Sequence, residues 1–221
     1  MRVHLHNNAS SDTFCETLLQ IGEDRIQKDE FGNISLPQTL CSTVDSIENL
    51  IEKVFPNIEN NYQNKDWLCE RAILAPLNSS VDITTDKIID LVPNESITYT
   101  SIDTLMDNGD TTLYTTEFLN SIELPGIPSH VLKLKIGVPI ILMRNLDPPR
   151  LCNGTRLLIK KLYKNVVIAE ILTGCAKGEE TFIPRIPIIP TDLPLTFKRL
   201  QLPLKVAFSM SINKLQGQSF S

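Results

Sequence analysis

The 221-residue chain is 42% hydrophobic and 21% charged, which excludes a disordered polymer and is rich enough in apolar residues for a sizeable core. No apolar run reaches the roughly 18 residues that a membrane-spanning helix needs, and Met1-Arg2-Val3-His4-Leu5-His6 has no signal-peptide pattern. The net charge of −5 argues against a nucleic-acid binder, but residues 1–130 carry 7 Lys+Arg against 21 Asp+Glu, whereas residues 131–221 carry 14 against 5. A basic half this distinct is a phosphate-binding signal; it also fits two halves, or a partner domain, that attract each other.

Five scattered cysteines (Cys15, Cys41, Cys69, Cys152, Cys175) lack paired metal-ligand spacing and read as thiols in a reducing compartment, with neither a disulfide frame nor a zinc site. In chain order, Ser10-Ser11-Asp12 caps an amphipathic helix ending at Gly22. A charged, turn-rich excursion runs to Pro37. Asp29-Glu30 within it has no apolar strand before it and is rejected as a metal-binding motif. Ser42 and Thr43 cap a second helix, whose apolar face is Val44, Ile47, Leu50, Ile51 and Val54, and Pro56 stops it. Residues 57–66 read as an Asn-rich loop.

Arg71–Pro76 predicts a short buried strand, Asn78–Val92 a helix, and Ser96–Ile102 another strand. This rhythm predicts an α/β layer with a parallel sheet. After about Asp107 it changes. Residues 113–128 read as a linker, followed by strand-like runs at 132–134, 138–144, 155–161, 166–172 and 181–183, punctuated by Asn153-Gly154 and Thr173-Gly174. This is a small all-β module. The proline-rich Pro184–Pro194 reads as an extended return path.

The chain then enters its most informative stretch, Leu204–Phe220. An apolar run of strand length leads into hydroxyls (Ser211, Ser219), amides (Asn213, Gln216, Gln218), Lys214 and the permissive Gly217. Such a strand-to-helix corner can grip phosphate and amide edges; the same residues also fit a surface helix cap after a core strand.

Four stretches resemble the second motor half of the Pif-type (petite integration frequency) DNA helicases of superfamily 1B, most of all the versions carried by Helitron transposons. They are Met1-Arg2 with the helix that follows, Ile73-Leu74-Ala75-Pro76-Leu77-Asn78, Leu132–Asp147 with Leu151–Leu157, and Ser209–Ser219, which is similar to helicase motif V. The resemblance implies an incomplete α/β, RecA-like P-loop NTPase-type second motor domain with a small all-β SH3-like barrel insertion. Residues 1–116 would form its first segment, 117–196 the insertion, and 197–221 the returning segment.

The resemblance also implies 5′ to 3′ stepping along single-stranded DNA, driven by ATP and Mg²⁺ between two RecA-like halves. It places such helicases in DNA repair, recombination and telomere maintenance, in the nucleus or another DNA-containing compartment. Arg2 matches the arginine that reaches the γ-phosphate. Ser211, Asn213 and Lys214 would meet DNA, and Gln216, Gly217 and Gln218 the nucleotide cleft. Asn213 stands where many members carry His. The insertion's cations (Lys133, Lys135, Arg144, Arg150, Arg156, Lys160, Lys161, Lys164) would form a basic face tracking DNA phosphates, or be scattered solvated charges.

No Gly-x-x-x-x-Gly-Lys-Ser/Thr phosphate loop occurs in the sequence. Neither an acidic metal motif nor the family's late arginine is found. The expectation is a C-terminal helicase piece that needs the missing N-terminal RecA-like half, has no membrane partner, and is inactive as an ATPase alone. The alternative is a stand-alone DNA-binding or interaction module from a decayed transposon. Residues 117–195 are further expected to be removable as an insertion without unfolding the α/β layer.

Overall fold

The computed structural model describes residues 9–38, 40–106, 114–190 and 195–212. The chain divides into two compact units, Met1–Ser46 and Ile47–Ser221.

The first unit contains helix α1 (Ala9–Gly22). Beyond it, Asp29 builds a turn. Its Oδ1 accepts from Phe31 N at 2.9 Å and Asn33 N at 2.7 Å, and its Oδ2 accepts from Asn33 Nδ2 at 3.0 Å. These bonds, the Asn33 side chain's foremost, hold the Asp29 carboxyl below its usual value. Gly32, at φ +81°, supplies the left-handed residue that lets Lys28 and Ile34 bridge across the turn.

The second unit opens with α2 (Ile47–Val54), which starts at Ile47 and not directly after Thr43. The expected Asn-rich loop holds two short helices, α3 (Ile58–Asn61) and α4 (Lys65–Cys69). Asn57 enters α3 in the left-handed region at φ +50°, a conformation that asparagine tolerates. The Asn64 side chain caps α4 by accepting from Trp67 N. Then come β1 (Ile73–Ala75), α5 (Asn78–Leu91), β2 (Ile97–Thr100) and β3 (Ile102–Leu105).

The expected linker contains α6 (Thr116–Ser121), where Thr115 accepts from Phe118 N. The remaining strands are β4 (Val131–Leu134), β5 (Pro139–Leu142), β6 (Arg156–Leu162), β7 (Val166–Ile171), β8 (Glu180–Pro184), β9 (Ile186–Ile188), β10 (Phe197–Gln201), β11 (Leu204–Val206) and β12 (Ser209–Ser211).

The largest sheet has the order β11-β5-β6-β7-β8 and is antiparallel throughout. All of β5 and the first four residues of β6 are buried, so both faces are covered there. One β1–β12 pair is parallel. Among the described residues the expected parallel layer extends no further: β2 pairs antiparallel with β4, Tyr99 opposite Leu132. A third sheet runs β3-β10-β9, with β9 at its edge as Pro187 requires.

The returning segment is therefore shared. Its β10 pairs with β3 and β9, and its β11 is an edge strand of the five-stranded sheet. One hydrophobic core runs from Ile51, Phe55 and Ile88 through Leu134, Ile140 and Ile159 to Phe208. Phe55 meets Trp67 and Phe208 edge-on, with ring centroids 5.9 and 5.5 Å apart. Gly137, at φ +83°, lies where an added Cβ would come within 2.5 Å of the Tyr62 ring, so the turn from β4 to β5 closes on the end of α3.

Two polar knots hold the strands. Arg199 lies opposite Asp103 in the β3–β10 register, with both side chains fully enclosed. Its Nε donates to both Asp103 oxygens at 3.1 Å, and Nη2 donates to Oδ2 at 2.8 Å. The same guanidinium donates to the carbonyls of Leu119, Ile122 and Pro128, which ties the end of α6 to the sheet.

The second knot is Glu170 on β7. It receives Lys65 Nζ at 2.7 Å and Lys160 Nζ at 2.8 Å, and its side chain is 10% exposed. The ladder between β6 and β7 shifts register between Ile159 and Lys161, so Lys160 sits in a bulge. Hydrogen bonds from Lys160 and then Lys65 hold the Glu170 carboxyl below its usual value. A carboxyl depressed in the folded state stabilises above its unfolded pKa and loses that contribution as pH falls through the folded value. On acidification from pH 6 to pH 3, the melting temperature of the parent chain should therefore fall further than that of E170Q. Thermal unfolding across this range checks it; parallel curves would show that the pair contributes nothing to acid sensitivity.

Candidate nucleic-acid interface

The parallel pair β1–β12 sets Ile73 against Ser209, Leu74 against Met210 and Ala75 against Ser211. Ile73 N donates to Phe208 O at 3.0 Å. Ser209 is enclosed: its hydroxyl donates to Val81 O at 2.8 Å and shares a 2.6 Å hydrogen bond with Thr85, locking β12 onto α5. Met210 packs with Ile141, Ala207 and Ala72. Ser211, one alternation past Ser209, is only partly buried. Both strands end at the same edge as the first turn of α5, and in α/β layers the carboxyl ends of parallel strands are where ligands bind.

Of the corner residues singled out from sequence, Ser211 is therefore placed at this edge. Asn213, Lys214, Gln216, Gly217 and Gln218 lie outside the described residues, as does Arg2.

The expected basic face is divided by the fold. Lys135 is 8% exposed, and its Nζ donates to Val92 O at 2.6 Å. Arg156 is 4% exposed, and its guanidinium donates to Cys69 O at 3.0 Å and Leu68 O at 3.2 Å, closing the end of α4. Burial pulls the Arg156 pKa down, with Cys69 opposing that shift, and burial also raises the Cys69 thiol. The expectation that Lys135 and Arg156 contact DNA is corrected here: both charges serve backbone carbonyls inside the protein.

Lys160 is held by Glu170, and Arg150 by Asp147 at 3.0 Å and Glu179 at 2.6 Å. Lys133, Arg144, Lys161 and Lys164 remain exposed. Lys161 and Lys164 flank the β6–β7 turn, where Tyr163 is half-exposed and its carbonyl accepts from Tyr99 Oη at 3.0 Å. Lys133, on β4 of the two-stranded β2–β4 sheet, lies opposite Thr98, one residue from the Tyr99–Leu132 pair whose Tyr99 hydroxyl reaches Tyr163 O. Arg144 follows β5 at the other end of the five-stranded sheet, beyond the Ile141–Arg156 pair.

Sequence reasoning missed Arg199, Asp103, Gln201 and Glu170. Gln201, fully buried, donates to the carbonyls of Tyr99, Ser129 and His130. The signal was present: in Phe197-Lys198-Arg199-Leu200-Gln201, strand alternation puts Arg199 and Gln201 on the face of Phe197.

Residues 117–162 match the family described as DNA helicase Pif1, 2B domain. The ATP-dependent DNA helicase PIF1 of Xenopus laevis is 31% identical over 143 residues, which is 63% of this chain and 20% of that protein. The chain thus spans a fifth of the curated relative it matches. Among solved structures, the Pif1 helicase from Candida albicans superposes with a TM-score of 0.51 at 21% identity, over 76% of this chain and 46% of that one. Bacteroides Pif1 bound to ssDNA gives 0.50 at 18% identity, over 77% and 42%. At these identities the structural likeness speaks to the fold, the mixed helix–strand motor-domain fold of these helicases. The 2B-domain match and the frog relative make this chain similar to the Pif1-type DNA helicases.

Proposed function

We propose that this chain is a C-terminal piece of an ATP-dependent 5′ to 3′ DNA helicase, which binds single-stranded DNA and forms one wall of an ATP cleft. The observation that carries the reading is the parallel pairing of Ile73–Ala75 with Ser209–Ser211. It opens Ser211 and the first turn of α5 on one edge, where a motor domain binds its ligands. In this reading β5–β8 belong to the SH3-like insertion, and Lys133 on β4, with Lys161 and Lys164 beside the β6–β7 connection, meet DNA phosphates. Asn213 and Lys214 continue the DNA contact. Arg2, Gln216, Gly217 and Gln218 are the candidate nucleotide contacts of this reading.

The sequence has no phosphate loop, and among the described residues no group of three or more His, Cys, Asp or Glu could hold a metal ion. In this reading ATP and Mg²⁺ would be held chiefly by a second RecA-like half. A nuclear or other DNA-containing location accords with this role. Among the described residues, no helix is long and apolar enough to cross a membrane. A second reading, a stand-alone DNA-binding or interaction module from a decayed Helitron-type transposon, is equally compatible with a sequence that carries no phosphate loop. An upstream open frame encoding a phosphate loop would separate the two.

Fluorescence anisotropy with a labelled oligo-dT at two salt concentrations tests the DNA contact. The K133A/K161A/K164A variant should bind about tenfold more weakly, and its salt slope should flatten by about 0.7 per lost phosphate contact. K135A, by contrast, should change stability and not the salt slope. Absence of binding at low salt would overturn the DNA contact. DNA-stimulated phosphate release from the same preparation would overturn the requirement for a second half.

A further inference from the structure

Two thiols converge on one carbonyl at the end of the five-stranded sheet away from Tyr163. Cys152 Sγ and Cys175 Sγ each lie 3.7 Å from Pro149 O, so the sulfurs are no farther apart than twice that distance. Cys152 belongs to the β5–β6 connection and Cys175 to the β7–β8 connection. These two loops are already fastened together. Arg150 bridges Asp147 in one and Glu179 in the other. Leu172 N donates to Arg156 O at 2.8 Å, and Arg156 N donates to Thr173 Oγ1 at 3.1 Å. Cys175 is exposed and Cys152 partly so, whereas Cys69 is enclosed.

We propose that Cys152 and Cys175 are a redox-sensitive pair that closes into a reversible disulfide, clipping the two loops together. The framework holds both backbones in place, and rotation of the thiols between staggered wells brings the sulfurs together. A small disulfide such as oxidised glutathione serves as oxidant. The Cys175 thiolate attacks one of its sulfurs and releases one glutathione thiol. The Cys152 thiolate then attacks Cys175 Sγ and releases the second. Two electrons pass from the protein to the oxidant, and the two thiol protons end on the released glutathiones.

The test equilibrates the full chain in graded oxidised and reduced glutathione, followed by intact mass and tryptic mapping. The expected result is loss of two hydrogens with no glutathione adduct. A peptide pair should join Leu151–Arg156 to Asn165–Lys177. The melting temperature should rise by roughly 5 °C on oxidation, and C152S and C175S should abolish both the cross-link and the rise. In C152S, Cys175 should carry a glutathione adduct that cannot resolve. A C15S/C41S variant should keep the cross-link. Stable glutathione adducts on both Cys152 and Cys175 in the parent chain, or cross-links from either to Cys15 or Cys41, would overturn the proposal.

Discussion

Replacing Asp103 with alanine is expected to cost about 3–5 kcal/mol of stability, because it strands the Arg199 guanidinium in a site from which water is excluded. The three hydrogen bonds from Arg199 to the Asp103 carboxylate are lost. Ser101 Oγ also loses an acceptor at 2.7 Å. R199M should be damaging for a different reason: it leaves the carbonyls of Leu119, Ile122 and Pro128 without their side-chain donor, at about 1 kcal/mol or more each. The D103A/R199M double variant should be less unstable than the sum of the singles by about 2 kcal/mol or more, the signature of a coupled pair. Urea unfolding, followed by Trp67 fluorescence and circular dichroism, measures all three. A D103A cost under about 1 kcal/mol would mean that water reaches the pair and that the knot is not what holds α6 to the sheet.

Excising residues 117–195 is expected to abolish cooperative unfolding. Sequence reasoning treats this span as an insertion on an independent α/β layer, yet β4 is the sheet partner of β2 and β5 is the partner of β11. The excision removes 15 of the 29 described residues of the principal core. At about 1.5–3 kcal/mol for each large side chain buried, the loss exceeds the 5–15 kcal/mol by which a typical domain is stable. The flanking strands would be left with apolar faces and no cover. Scanning calorimetry of the excised chain should show no heat-absorption peak. A single sharp transition would restore the view that the layer folds alone.

What was legible depended on how local the signal is. β6, β7 and β8 were readable because short apolar runs punctuated by the Asn-Gly and Thr-Gly turns specify a meander over neighbouring positions. The helix at Asn78–Leu91 was readable from its apolar spacing. The short helices α3, α4 and α6 were not, since four to six residues carry too little period and rest on single capping contacts such as Asn64 and Thr115.

The cations show the same limit. Lys133-Leu134-Lys135 reads as alternation with both lysines outward, but β4 ends at Leu134 and the turn through Gly137 carries Lys135 inward to Val92. Counting charge reports their sign and not their burial. The pairing of β1 with β12 had no local signature at all, and the sequence reading did not include it.

That pairing bears on how the chain is made. Ile73 and its partner Ser209 are separated by most of the chain, so β1 leaves the ribosome on the order of ten seconds before β12 exists. During that interval β1 has unsatisfied backbone groups and an apolar side chain, Ile73, that finds cover only in the completed core. Nascent chains stalled before Ser209 should therefore be more protease-sensitive, and more dependent on chaperones, than chains stalled far enough downstream for β12 to emerge.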